Sequence, residues 1–173
     1  MKIVDFKIGN EKVFIIAEIG NNHNGNYNLA LEMIDAAASA GADCVKFQMR
    51  NINSLYRKKS LSRDEADLGT EYILDLLERF ELTIKEHKRI SEYCYKKNIL
   101  YMCTPWDADS VKILESFDVP AYKVASADLT NLPLIDILIN TKKPLILSTG
   151  MSSVSEVQIT TDFLNARNAE FVL

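Results

Sequence analysis

The chain is 173 residues long, 47% hydrophobic and 25% charged, a composition that can bury a sizeable core and excludes a disordered tail. Its 20 Lys+Arg against 24 Asp+Glu leave a net charge of -4 with the basic residues scattered, which argues against a nucleic-acid partner. No stretch approaches the roughly 18 consecutive apolar residues of a membrane span, and the N-terminus lacks the apolar core of a signal peptide, so no membrane association is expected and cytoplasm is the expected location.

In chain order, residues 3–7 and 12–16 around Gly9-Asn10 read as a β-hairpin whose second arm continues into the first core strand. Short apolar runs rich in β-branched residues then recur at 13–19, 44–48, 99–104, 121–125, 144–149 and 171–173, most of them alternating with stretches of helical period. Asn28 is placed to cap the helix entering at Leu29, and Gly41 stands where that helix would end. Thr83-x-x-Glu86 and Ser153-x-x-Glu156 have the capping-box form, and Asp107 can cap a helix entering at Ala108. The longest interruption, the polar stretch 49–69, reads as a loop above the sheet.

Strands joined by helices form parallel sheets, because a helical crossover returns the chain in the same direction. Gly20-Asn-Asn-His-Asn-Gly25 matches neither the dinucleotide nor the P-loop pattern, which counts against a doubly wound sheet. The expected fold is therefore α/β, a (β/α)8 TIM barrel. It is truncated to roughly the first five β/α units plus the start of strand six, with residues 1–173 as one partial barrel domain behind an N-terminal β-hairpin. Cys44, Cys94 and Cys103 form no CxxC pair and sit among apolar neighbours, so they read as reduced packing residues. His23 and His87 are the only two histidines, too few for a three-histidine metal site.

The strand ends carry the chemistry. Lys46 in Cys44-Val-Lys-Phe-Gln48 and Lys123 in Tyr122-Lys-Val-Ala-Ser126 are ammonium groups set in apolar strands. A buried lysine without a partner costs several kcal/mol or loses its proton, so an internal carboxylate or an anionic ligand must balance each. Glu18 can balance one. The three together sum to one positive charge, which leaves a small anion welcome. A strand period of two puts Lys46 and Gln48 on one face, toward the barrel axis, if Val45 and Phe47 face helices. Thr104, Ser126 and Ser148 end strands as hydroxyl donors for phosphate or carboxylate oxygens, and Gly150 allows close backbone approach. Such serines also serve as ordinary turn residues and caps; their weight comes from the C-terminal strand ends, where barrel active sites are built. Trp106 can wall a pocket or pack, and His23 can tie its loop or act in chemistry. His87, beside Lys85 and Lys88, is expected at the surface, and Arg57-Lys58-Lys59 and Lys96-Lys97 are expected to be solvated faces.

Five motifs in order resemble one family. Ala17-Glu-Ile-Gly-Asn-Asn-His-Asn-Gly25, Gly41-Ala-Asp-Cys-Val-Lys-Phe-Gln48, Cys103-Thr-Pro-Trp-Asp107, Pro120-Ala-Tyr-Lys-Val-Ala-Ser126 and Lys143-Pro-Leu-Ile-Leu-Ser-Thr-Gly-Met-Ser152 resemble the sialic acid synthases, the phosphoenolpyruvate-dependent nonulosonate synthases. The resemblance implies a transferase that condenses phosphoenolpyruvate with an N-acetylated aldose such as N-acetylmannosamine, forming a nonulosonic acid and releasing phosphate. It implies that Lys46, Thr104, Lys123, Ser126 and Ser148 cradle phosphoenolpyruvate, that Gln48 and Asp128 bind the sugar, and that Glu18, with Lys46 and Lys123, is catalytic, Glu18 positioning or activating water. It further implies a divalent metal, Mn or Mg, held by residues outside this chain, a C-terminal antifreeze-like domain supplied by the partner of a homodimer, and little or no activity for residues 1–173 alone. The family often carries Gly-Ser-Gly before its carboxylate where this chain has Ala125-Ser-Ala-Asp128, a departure that bears on which sugar is used.

Two other readings of the same residues stay open at this point. A desolvated Lys123 is also what a Schiff-base, aldolase-like barrel uses as its nucleophile. A half-barrel that binds an anion without turnover is the other.

Overall fold

The computed structural model describes residues 1–9, 12–55 and 68–173, with side chains placed from residue 74 onward in the last stretch. Strands β1 (Lys2–Ile3) and β2 (Phe6–Lys7) pair antiparallel. Six more strands form one parallel sheet in chain order: β3 (Ile16–Gly20), β4 (Cys44–Met49), β5 (Leu100–Pro105), β6 (Tyr122–Val124), β7 (Leu145–Leu147) and β8 (Phe171–Val172). Between them run α1 (Tyr27–Ser39), α2 (Ile52–Leu55), α3 (Leu68–Phe80), α4 (Ile84–Lys96), α5 (Ala108–Glu115), α6 (Leu132–Asn140) and α7 (Val154–Asn165). A doubly wound sheet reverses its strand order at a switch point, whereas here each strand pairs with the one before and the one after. That progression is the one a (β/α)8 barrel requires.

Several expectations shift in detail. The hairpin turns at Val4-Asp5, with Ile3 opposite Phe6, instead of at Gly9-Asn10, where Asn10 lies outside the described residues. Val4 takes a left-handed φ of 50° to make that turn. The first helix starts two residues earlier than expected: Asn26, not Asn28, is its cap and accepts from the amides of Asn28 and Leu29. Within the stretch expected as a loop over 49–69, Met49 closes β4, residues 52–55 form α2 and α3 begins at Leu68; residues 56–67, including Arg57-Lys58-Lys59, lie outside the described residues. The caps at Thr83, Asp107 and Ser153 stand as read, each side chain accepting from the third backbone amide beyond it, and Gly41 follows the last residue of the α1 cap with φ +80°.

Alternation along β4 divides the protein into two cores. Val45 and Phe47 point outward into the layer shared with Ala30, Ile34 and Ile90 of the helices. On the other face Cys44 joins Met102, Ala121 and the hairpin's Ile3, all fully buried, with Ile16 and Ile146 packed against them. The hairpin thus plugs the N-terminal end of the axis face. Along the same face toward the strands' C-terminal ends, apolar residues give way to Lys46, Gln48 and Thr104.

Candidate active site

Glu18, Lys46 and Thr104 form one connected group. Glu18 lies opposite Lys46 in the parallel register of β3 and β4, and Lys46 Nζ sits 2.9 Å from Glu18 Oε1. The same ammonium donates to Thr104 Oγ1 at 2.9 Å. Lys46 is only 4% exposed, so this carboxylate and hydroxyl supply the compensation its charge demands. Glu18 is different: its side chain is 56% exposed, which leaves a carboxylate edge open at the mouth.

Lys123 forms a second group. Its ammonium donates to Ser148 Oγ and to the Val124 carbonyl, both at 2.6 Å, and no carboxylate pairs with it among the described residues. Burial, and next the charge of Lys46, push its pKa down to about 8, with Glu18 pulling the other way. Lys123 is half-buried, less enclosed than Lys46. The two cations therefore share one electrostatic neighbourhood in which Glu18 forms an ion pair with only one of them.

Of the remaining candidate residues, Gln48 lies beside the first group, and Ser126 and Asp128 lie in the turn after the strand that carries Lys123. β3 has a register irregularity between Glu18 and Gly20, and Gly20 takes φ +54° there. A Cβ on Gly20 would come within 3.0 Å of Glu18 Oε1 and 3.3 Å of Gln48 Nε2, so the carboxylate and the amide close over the bare Cα. Ser126 opens the 3-10 turn Ser126–Asp128 after β6, and Gly150 approaches it closely enough that a Cβ there would lie 3.5 Å from the serine Cβ. Asp128 is 9% exposed; Asn131 donates to its Oδ1 at 3.0 Å while Oδ2 is buried with no hydrogen-bond partner among the described residues. Burial raises the Asp128 pKa, with Asn131 opposing.

Three residues stand differently from their sequence reading, or were passed over by it. His87 is not at the surface: it is 1% exposed, its Nδ1 lies 2.9 Å from Tyr101 Oη, and burial pushes its pKa down to about 4. It faces the sheet with Ile90 and Cys94, at helical spacing along α4, and its lysine neighbours point away. Tyr101, which holds it, was not singled out. Nor was Arg50, one residue beyond β4, with a side chain only 6% exposed. Extending the period of two from Lys46 and Gln48 by one more step reaches it.

His23 serves its loop. Its ring is buried, Nδ1 accepts from the Gly25 amide at 3.1 Å, and burial holds its pKa below the usual imidazole value. Trp106 lies beneath the Arg50 guanidinium, 5.3 Å from ring centroid to Cζ. All three cysteines are buried free thiols, Cys94 and Cys103 pushed up to about 12 by burial, which keeps them protonated and unreactive. Among the described residues no group of three or more His, Cys, Asp or Glu is close enough to hold a metal ion, so these residues do not build the metal site that the resemblance implies. No described helix is long and apolar enough to cross a membrane.

Known proteins share both the sequence and this architecture. The chain is 38% identical over 151 residues to the N,N'-diacetyllegionaminic acid synthase of Campylobacter jejuni, covering 86% of this chain and 45% of that protein. The crystal structure of the N-acetylneuraminic acid synthetase of Leptospira borgpetersenii superposes with a TM-score of 0.87 at 34% identity, over 99% of this chain and 56% of that one. The spore coat polysaccharide biosynthesis protein SpsE of Bacillus subtilis follows at TM-score 0.80 and 32% identity, over 99% of this chain and 46% of that one. The chain thus spans about half the length of the proteins it matches. The NeuB family profile matches residues 33–173, most of the chain and four of its five motifs entire, and with these relatives it establishes that the chain belongs to the NeuB family.

Proposed function

We propose that the protein carrying this chain condenses phosphoenolpyruvate with an N-acylated aldose, forming a nonulosonic acid and releasing phosphate. The observation that carries this reading is the charge imbalance at the mouth: two ammonium groups on the axis face, Lys46 and Lys123, against one paired carboxylate, Glu18. Phosphoenolpyruvate brings roughly three negative charges, and charge-assisted hydrogen bonds from fixed ammonium and hydroxyl donors are the strong kind. Thr104 and Ser148 already sit on the two ammonium groups at 2.9 and 2.6 Å, so the anion would meet oriented donors.

In the reaction, the methylene carbon of phosphoenolpyruvate forms a bond to the aldehyde carbon of the aldose. The aldehyde oxygen becomes an alkoxide that takes up a proton, and positive charge develops at C2 of the enol. Water adds at C2 and gives up a proton, and the resulting tetrahedral carbon expels inorganic phosphate by carbon–oxygen cleavage to leave the 2-keto acid. A carboxylate suits the cationic C2, and Glu18 has an edge open to the mouth while Lys46 fixes its other side. Gln48 and Asp128 are the residues assigned to the aldose, and among the described residues Asp128 has one carboxyl oxygen without a hydrogen-bond partner.

The test is phosphate release by the full-length protein from phosphoenolpyruvate, with N-acetylmannosamine and other N-acylated aldoses offered in turn and divalent metal supplied. Sugar-dependent release of phosphate with formation of a 2-keto acid is the expected result. Borohydride trapping of a keto substrate on Lys123 in place of phosphate release would favour the aldolase reading instead.

A further inference from the structure

Arg50 is a buried cation that the proposed chemistry does not use, and its contacts single out one partner. Its Nη2 donates to Gln48 Oε1 at 2.5 Å. The arginine is itself held in place: its backbone amide donates to Glu81 Oε1 at 3.1 Å, its Nε lies 3.6 Å from Glu81 Oε2, and its guanidinium covers the Trp106 ring. Burial raises the pKa of Glu81 and the charge of Arg50 opposes it, which fits a carboxylate held for this arginine.

A guanidinium has donors and no acceptor, so the Gln48 atom facing it must be the carbonyl oxygen. The amide nitrogen is then turned the other way, toward Gly20, beside which Glu18 Oε1, the oxygen held by Lys46, also lies. A glutamine amide is nearly symmetric in shape, and without such a partner it can rotate and present either end. We propose that Arg50 is a positioning residue for the acceptor aldose, fixing Gln48 so that its Nε2 hydrogens, not its carbonyl oxygen, meet the sugar. The group recognised there is an oxygen that accepts a hydrogen bond, a hydroxyl or an acyl carbonyl. A flipped Gln48 would set a second lone-pair oxygen beside Glu18 and repel that group. This inference rests on the proposed function for its substrate, and on the Arg50–Gln48 contact for its mechanism.

The experiment is a double-mutant cycle on the full-length protein, reading KM for the aldose and KM for phosphoenolpyruvate separately. Arg50→Met is expected to raise the aldose KM roughly five- to tenfold, the effect of one hydrogen bond of ordinary net strength, and to leave the phosphoenolpyruvate KM unchanged. Gln48→Ala should raise the aldose KM as well, and Arg50→Met added to it should cost nothing further, because Arg50 acts through the amide. An equal loss in both backgrounds, or a matching rise in the phosphoenolpyruvate KM, would overturn the proposal. A second readout does not depend on turnover: the side-chain amide of Gln48 should give dispersed, slowly exchanging NMR signals that collapse to solvent-exposed values in Arg50→Met. A wild-type protein that condenses no aldose would defeat the proposed function, and unchanged Gln48 signals in Arg50→Met would defeat the positioning role by themselves.

Discussion

Single side chains decide where charge can sit in this protein. Among the described residues Lys46 has its carboxylate and Lys123 has none, and that difference has a pH signature. With its pKa lowered to about 8, Lys123 is largely protonated at pH 7 and increasingly neutral above pH 8, while a bound anion favours the charged form. The KM for phosphoenolpyruvate should therefore rise as pH climbs through 8, and Lys123→Met should raise it at neutral pH and flatten that rise; a KM flat between pH 7 and 9 in the unmutated protein would contradict the assignment. His87 gives an independent signature in stability. Its pKa is about 4 in the folded chain against 6.5 for a free imidazole, so folding favours the neutral ring. Stability from this group is fully present above pH 6.5 and is lost as pH falls toward 4, amounting to about 2 kcal/mol by pH 5. Urea unfolding at pH 7 and pH 5 should show that loss, and His87→Gln, which can still bond Tyr101, should reduce it. Lys46, Lys123 and Glu18 were legible in sequence because charged residues inside β-branched runs have few explanations. His87 was not, because two flanking lysines dominate a linear reading, whereas on a helix only residues three and four apart share its face.

Elements transmit their sequence signals unequally. The caps of α4, α5 and α7 were readable because one side chain accepts from a backbone amide three residues on, a local geometry that tertiary contacts rarely overrule. Thr83→Ala should accordingly cost about 1 kcal/mol in denaturant unfolding, a loss measurable as a lower midpoint at unchanged m-value. The hairpin was misplaced because its register is set by long-range packing: Ile3 must reach Cys44, Met102 and Ala121. Ile3→Ala should cost roughly 2–5 kcal/mol, far beyond what a frayed two-residue strand would lose, since the side chain is fully buried in the plug. The loop from Gly20 to Gly25 shows a third case. Gly25 has φ +73° and its missing Cβ faces the Arg79 carbonyl at the end of α3, so a contact between distant segments dictates a glycine whose reason no local pattern shows.

At the scale of the whole molecule, the barrel assignment rests on strand order, and strand order was legible because each β-rich run is separated from the next by enough residues for a crossover. The same order leaves two lateral edges. Among the described residues β3 pairs only with β4, and β8 only with β7, so each presents one row of backbone donors and acceptors with no strand beside it. In a closed barrel those rows meet other strands and no edge survives. The two edges are unequal, five residues on β3 against two on β8, which makes β3 the better template for a foreign strand. The Glu18–Lys46 ion pair ties β3 to β4 at the register position just before its irregularity. Residues 1–173 prepared as a separate polypeptide should therefore sediment as a concentration-dependent mixture of monomer and larger species, with the β3 amides that face away from β4 exchanging slowly only in the associated form. Sedimentation as a monomer at every concentration would mean that the β3 edge is already satisfied within the polypeptide, and that the sheet closes on itself in some way other than a barrel completed by further strands.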